Sequence, residues 1–533
     1  MPIAAQPSFK AAIPVLRLNP NPRPTPILPR IPTARTTVDG VFEGGGGLGT
    51  AYLGSLAFLD QAGIWFSRVA GNSAGAITAT MVAAGFHSAD IEYLLSNFPG
   101  RPPRPPGVPT SLSPIDTFDF LDFPTLNTIS ISSRRKTFLW KMMKGQILDE
   151  ILDLKIPTPT RDQVKSDVMN ALKNVLKTTV RPIPGVGPSL ETAIDSAVGS
   201  ALDPAFSVLP RSQPALKDFQ LFDTEPLRVA FADAVWQAIA SVNPILIIAT
   251  QLIYEGSIFE GRVFEQTISR MLGAKIHNNP AATVQFKDLP IPLALIGTNL
   301  SSGRMEVYSS ATTPNMIVAE AARISMSVPI VFEPHKGLRV DGGLCSNLPA
   351  WLFSSAGDKY WPPNTISPGR AKIGFCLSEN LAAPAAWGVG PGKFTVSGSP
   401  PRVDFMDVLK AQMIAKLKEM NLYVPSAKLP QSEVEADLDD WKILQVAAGM
   451  TGINQEESVR DVILKGMFSG APYFQVNIPL LGFHAADFTV GSSKVELEAV
   501  AERAWFAARD SLSSSPTNGQ PLISNPGSFL NLF

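Results

Sequence analysis

Cysteine is nearly absent from this chain: Cys345 and Cys376 are its two, in no metal-ligand or redox spacing, which leaves no disulfide framework to infer. Histidine is scarce as well. His87, His277, His335 and His484 form no HxxxH or HxH pair, so a structural or catalytic metal is not expected. No loop clusters carboxylates at ligand spacing, and calcium dependence is not predicted. Charge is low, at 17% of residues against roughly 25% in ordinary soluble proteins, and nearly balanced at a net −1. That balance gives no electrostatic case for nucleic acid, which needs a clustered basic excess. Residues 1–36 lack both an acidic residue and the continuous apolar core of a secretory signal. The expected location is therefore the cytoplasm or a membrane surface.

Proline is plentiful, with 48 residues, and mean hydropathy is +0.12, a composition of long apolar loops suited to contact with lipid. A length of 533 residues admits two or three domains, or one large α/β domain with insertions. Residues 1–36 carry Lys10, Arg17, Arg23, Arg30 and Arg35 among prolines and read as a disordered or surface-draped arm.

The stretch Gly71-Asn72-Ser73-Ala74-Gly75 stands between an apparent strand, Trp65 to Ala70, and an apparent helix, Ala76 to Ala84, closed by Gly85. A serine on such a turn has the context of a nucleophile elbow, with Gly71 and Gly75 permitting the tight backbone and a helix N-terminus favouring negative charge. An ordinary N-cap serine in a glycine-rich turn fits the same five residues. Upstream, Val38 to Glu43 reads as a strand entering Gly44-Gly45-Gly46-Gly47-Leu48-Gly49, followed by a helix over Ala51 to Gln61. Strand, glycine loop and helix converge bare amides on one point. Gly44-x-Gly46-x-x-Gly49 also matches the dinucleotide fingerprint, but Val69-Ala70-Gly71 stands where a ribose-binding acid belongs, so no nucleotide is expected.

Phe42 through Gly49 followed by Gly71-x-Ser73-x-Gly75 resembles the start of a patatin-like phospholipase domain. The second signature of that family follows in order: Ser325 to Phe332, then Val340-Asp341-Gly342-Gly343 and Asn347-Leu348-Pro349. The resemblance covers about 38–92, weakly 138–152, and about 284–350, with a looser echo near 478–487. It implies a three-layer α/β/α sandwich with a central, mostly parallel sheet and a large helical insertion between nucleophile and aspartate. It further implies Ser73 as nucleophile, Asp341 as its partner in a two-residue catalytic pair, and an oxyanion hole from Gly44, Gly45, Gly46 and Gly47. Gly342 and Gly343 would present the aspartate on a tight turn. One position departs: Leu48 stands where the family usually has Arg or Lys.

The resulting domain expectation is an arm at 1–36, a catalytic domain at 37–380 with a helical insertion at 155–260, and a C-terminal helical extension at 381–533. Within the long interval between Ser73 and Asp341, Arg101 to Pro124 is a proline-rich loop. Lys141 to Lys155 reads as a helix preceded by the basic and aromatic Arg134-Arg135-Lys136-x-Phe138-Leu139-Trp140, either a membrane contact or a solvated turn. Thr160 to Gln163 is a capping-box pattern opening a helix that Pro182 breaks, and Ser189 caps a second one. This hairpin is either a lid or a plain elaboration. Ala234 to Tyr254 lacks charge, but Gln237, Asn243, Pro244 and Gln251 interrupt it, favouring buried helices over a membrane span. Strands are predicted at Pro292 to Asn299, Arg304 to Tyr308, Leu338 to Val340 and Lys372 to Leu377. A helix is predicted over Asn315 to Ile324, capped by Thr313 with Pro314 at its first position. Further helices are read near 404–421, 433–451 and 494–511.

The chemistry expected is serine ester hydrolysis of phospholipid or another acyl lipid at a bilayer or micelle surface, without metal or cofactor. Two alternatives remain open. Ser73, Asp341 and His484 fall in the chain order of an α/β-hydrolase triad, and a non-catalytic lipid-binding module would retain the same composition.

Overall fold

A computed structural model describes residues 36–122, 255–389, 471–516 and 520–529, with the single positions 166, 170, 251 and 531. Residues 1–35 of the expected arm, nearly all of the insertion and the apolar run 234–254, the basic stretch 134–140 and the helices expected at 404–421 and 433–451 lie outside the described residues.

In chain order the elements are β1 (Thr36–Phe42), α1 (Tyr52–Ala62), β2 (Ile64–Gly71), α2 (Ala74–Ala83), α3 (Ser88–Leu95), β3 (Ser257–Phe259), α4 (Arg262–His277), β4 (Leu293–Asn299), β5 (Arg304–Ser309), α5 (Val318–Ser325), β6 (Ile330–Phe332), β7 (Arg339–Asp341), β8 (Lys372–Ser378), β9 (Tyr473–Pro479) and α6 (Lys494–Ser513). Short 3-10 turns stand between them. The main sheet has the order β5-β4-β2-β1-β8-β9, and β7 pairs with β4 off this path. Strands β4, β2, β1, β8 and β9 run parallel, while β5 and β7 are antiparallel to β4. This is the mostly parallel α/β sheet expected from the sequence.

The central strands are apolar on both sides because both faces are covered. Along β4, Leu293 and Leu295 enter the core under the helices, whereas Ala294 and Ile296 face a second cluster with Val41 and Ala70. The first face is covered by α1, α2 and α6. Phe58 of α1 meets Trp505 of α6 edge-on at 5.4 Å, and the Ser55 hydroxyl donates to the Ala504 carbonyl at 3.0 Å. Turns at Ala350–Phe353 and the buried Trp361 cover the other face. Inside the sheet, Phe42 and Phe375 stack at 4.8 Å, an arrangement that adds about 1 kcal/mol to area burial. In β1, buried Asp39 accepts from Arg68 Nε at 3.1 Å and from Arg370 Nη1 at 3.0 Å, pinning β1, β2 and the approach to β8.

Two expectations change. Residues 473–479, placed by sequence in a helical extension, form strand β9 in full register with β8, because Phe474, Val476 and Ile478 alternate into the main core. The helix expected from Asn315 starts only at Val318. Thr313 does not cap it: its hydroxyl donates to the Ser309 carbonyl at 3.2 Å and accepts from the Ser309 amide at 2.8 Å, and Ile317 is held extended against Gln285. Among the described residues, no helix is long and apolar enough to cross a membrane.

Candidate active site

Parallel neighbours β1 and β2 end side by side, with Phe42 opposite Gly71. The glycine loop and the Ser73 turn therefore leave the sheet at the same edge, the C-terminal edge where open α/β sheets bind ligands. Ser73 has φ 50° and ψ −123°, a conformation costly for a residue with a side chain. Its side chain makes no capping bond to α2. An N-cap serine has extended dihedrals and a bonded hydroxyl, so the plain N-cap reading does not describe this residue. Gly71 and Gly75 are required by contact: a Cβ on Gly71 would overlap the Gly75 carbonyl, and one on Gly75 the Phe42 carbonyl.

Asp341 comes to the same edge from a distant part of the chain. Antiparallel pairing of β7 with β4 sets Asp341 opposite Gly297, and its amide donates to the Ser327 carbonyl at 2.8 Å. The carboxylate is buried, and its Oδ1 accepts from the Gly343 amide at 2.7 Å and from Asn72 Nδ2 at 3.1 Å. Burial raises its pKa from 3.8 to about 6, while hydrogen bonding to the Ser73 side chain, the Gly343 amide and Asn72 pulls the other way. Oδ2 lacks a well-formed hydrogen bond. The Ser73 hydroxyl thus lies close enough to lower the carboxyl pKa without a well-formed hydrogen bond to Oδ2.

Of the loop glycines expected to face an oxyanion, two have committed their amides elsewhere. Gly44 donates to the Asn347 carbonyl at 3.0 Å and Gly47 to the Ala485 carbonyl at 2.7 Å. Among the described residues, the amides of Gly45 and Gly46 have no hydrogen-bond acceptor. Leu48, at the position where the resemblance expects a basic residue, is fully buried in the main core. Beyond the loop lies an apolar cavity of about 60 Å³, walled by Gly46, Gly47, Ala74, Thr78, Met271 and Phe488 among others.

His484 lies on the loop after β9. Its Nδ1 accepts from the Ala486 amide at 3.2 Å, and its Nε2 stands 3.6 Å from Glu379 Oε2. Cys345 and Cys376 are buried and are not joined in a disulfide. Among the described residues, no cluster of His, Cys, Asp or Glu has the arrangement of a metal site.

Asn72, Ser325 and Asn347 stand within the sequence motifs, which alone assign them no part. Ser325 Oγ accepts from the Ser73 amide at 3.1 Å. Asn72 Nδ2 reaches Asn347 Oδ1 at 3.3 Å, and Asn347 Nδ2 donates to Glu43 Oε1 and to the Gly44 carbonyl, both at 3.2 Å. No local pattern signals these bonds, because each joins residues more than 250 positions apart.

A family model described as patatin-like phospholipase matches residues 40–240 and 219–354. The chain is 46% identical over 63 residues to the uncharacterized protein YqhO of Bacillus subtilis, covering 12% of this chain and 22% of that protein. It is 34% identical over 98 residues to the uncharacterized protein R571 of Acanthamoeba polyphaga mimivirus, covering 18% and 32%. The chain thus spans a third or less of the length of these relatives. Among solved structures, VipD from Legionella pneumophila is similar at 15% identity and a TM-score of 0.31, over 91% of this chain and 68% of that one. ExoU of Pseudomonas aeruginosa, solved with SpcU, is similar at 15% identity and a TM-score of 0.20, over 92% and 77%.

Proposed function

Because the chain belongs to the patatin-like phospholipase family, we propose that it is a lipid acyl hydrolase in which Ser73 is the nucleophile and Asp341 its general base. The observation that carries the reading is a strained, uncapped serine beside a buried carboxylate whose pKa is raised to about 6. An aspartate near its ordinary value of about 3.9 is a poor acceptor for a serine proton; one about two units higher is a better base and is still ionised at neutral pH.

The Ser73 oxygen attacks the acyl carbonyl carbon as its proton passes to Asp341. The resulting oxyanion is received by the Gly45 and Gly46 amides, at the N-terminal end of α2, where the helix dipole also favours it. Collapse breaks the ester bond, and the leaving alkoxide takes the proton from Asp341. Water then attacks the acyl-serine, giving a proton to Asp341, and collapse releases fatty acid as that proton passes from Asp341 to the departing Ser73 oxygen, which restores both groups. The apolar cavity beside Ala74 accommodates part of the acyl chain. Substrate is drawn from a bilayer or micelle surface, and the chain works as a peripheral membrane or cytoplasmic protein. No metal or cofactor enters this scheme.

The Ser73-Asp341 pair is favoured over a triad with His484 because the two ring nitrogens of that histidine already face the Ala486 amide and Glu379. The test is release of fatty acid from phospholipid, lysophospholipid and triglyceride by the protein and its Ser73→Ala form, with fluorophosphonate labelling of both. Ser73-dependent release and labelling are expected. Hydrolysis that survives Ser73→Ala, or a parent protein that neither hydrolyses nor labels, overturns the reading.

A further inference from the structure

The two motifs that carry Ser73 and Asp341 meet across a pair of buried amides that belong to neither reacting group. Asn72 is fully buried. Its Nδ2 donates to Asp341 Oδ1 at 3.1 Å and to Asn347 Oδ1 at 3.3 Å, and its Oδ1 accepts from Ser325 Oγ at 3.4 Å. Asn347 in turn donates to Glu43 Oε1 and the Gly44 carbonyl, while its own carbonyl accepts the Gly44 amide.

The orientation of both amides follows from these partners. Both protons of Asn347 Nδ2 point at acceptors, so its oxygen must face Asn72, and Asn72 can meet that oxygen and the carboxylate only with its NH2 group. Reversing either amide sets oxygen against oxygen. The surrounding glycines fit the same arrangement. A Cβ on Gly44 would come within 2.7 Å of Asn72 Nδ2, one on Gly342 within 2.6 Å of Asn72 Oδ1, and one on Gly343 within 3.0 Å of both amides. Three glycines from two distant motifs therefore leave the space that the two asparagines fill.

The geometry points to Asn72 as the positioning residue for Asp341, with Asn347 tying its amide to the glycine loop. By holding Oδ1, together with the Gly343 amide, Asn72 leaves Oδ2 open to take the serine proton and favours the ionised carboxylate. Asn347 makes the aspartate turn and the oxyanion loop move as one body. This inference rests on the role proposed above for Ser73 and Asp341.

The pH dependence of kcat/KM for Ser73-dependent ester hydrolysis tests it, because a purely structural role leaves an apparent pKa where it was. Asn72→Ala removes a donor to a buried carboxylate, so the acid limb is expected to move up by about one pH unit, with kcat lowered tenfold or more and KM little changed. Asn72→Asp keeps size and shape but sets a second carboxylate against Asp341, and the limb is expected to move further up. It decides the matter if the alanine form fails to fold. An acid limb that stays in place in the folded variant overturns the positioning role while Ser73-dependent turnover of the parent stands. A parent without Ser73-dependent turnover overturns the functional reading and the positioning role with it.

Discussion

Replacing Asp341 by Asn should abolish hydrolysis and stabilise the protein, by an amount set by pH. The carboxyl has a folded pKa of about 6 against an unfolded value of 3.8, and burial is the leading cause. Between these values the native state binds more protons than the unfolded one, so the contribution of this group is full below about pH 4 and is lost as pH rises through 6. A separation of about two units corresponds to about 3 kcal/mol lost by the parent above pH 7. Asparagine carries no charge to bury. Its Oδ1 keeps the Gly343 and Asn72 donors, and its NH2 group takes the place of Oδ2, which has no hydrogen-bond partner. Thermal unfolding of the two proteins side by side should give coincident midpoints near pH 4 and an Asn form several degrees higher at pH 8. The same titration sets the acid limb of the parent's activity: below pH 6, kcat/KM should fall about tenfold per pH unit. An Asn form no more stable than the parent at pH 8, or a difference independent of pH, refutes the burial of charge at this position.

Three further outcomes follow from the geometry. His484→Ala should retain fluorophosphonate labelling and turnover within several-fold of the parent, since the base is assigned to Asp341; near-complete loss of turnover in a folded protein would restore the triad. Thr78→Phe, which fills the cavity from the side of α2, should lower hydrolysis of long-chain esters while sparing short-chain ones, read as a change in their kcat/KM ratio. Ending the chain after residue 380 should give an insoluble or inactive product, because it removes β9 and α6 from the main sheet and core; soluble, active protein would show the C-terminal part to be a separable extension.

The legible parts of this chain were those whose physics is local. Gly71 to Gly75, the glycine loop and Asp341-Gly342-Gly343 announce tight turns by composition, and apolar runs such as Leu293 to Ile296 announce strands covered on both faces. Strand β9 is equally local in signal, since Phe474, Val476 and Ile478 alternate with Gln475 and Asn477, yet it follows a long interval and stands among segments of helical composition. The start of α5 was not legible. Thr313 has the composition of a cap, but its hydroxyl is engaged by Ser309 in the turn from β5.

The glycine loop marks the limit of local reading most sharply. Four consecutive glycines look equivalent along the chain, and the fold makes them unequal: the Asn347 carbonyl takes the amide of Gly44, and the Ala485 carbonyl takes that of Gly47. What distinguishes Gly45 and Gly46 is therefore supplied by residues roughly 300 and 440 positions away, one after the aspartate turn and one after β9. The same long-range acceptors hold the loop in shape, so in the role proposed for them the Gly45 and Gly46 amides are fixed before substrate arrives. A glycine run gives the backbone freedom to adopt this form, and distant carbonyls remove that freedom. For such a site, sequence motifs identify which segments meet, while the polarity of each amide is decided by the partners they meet with.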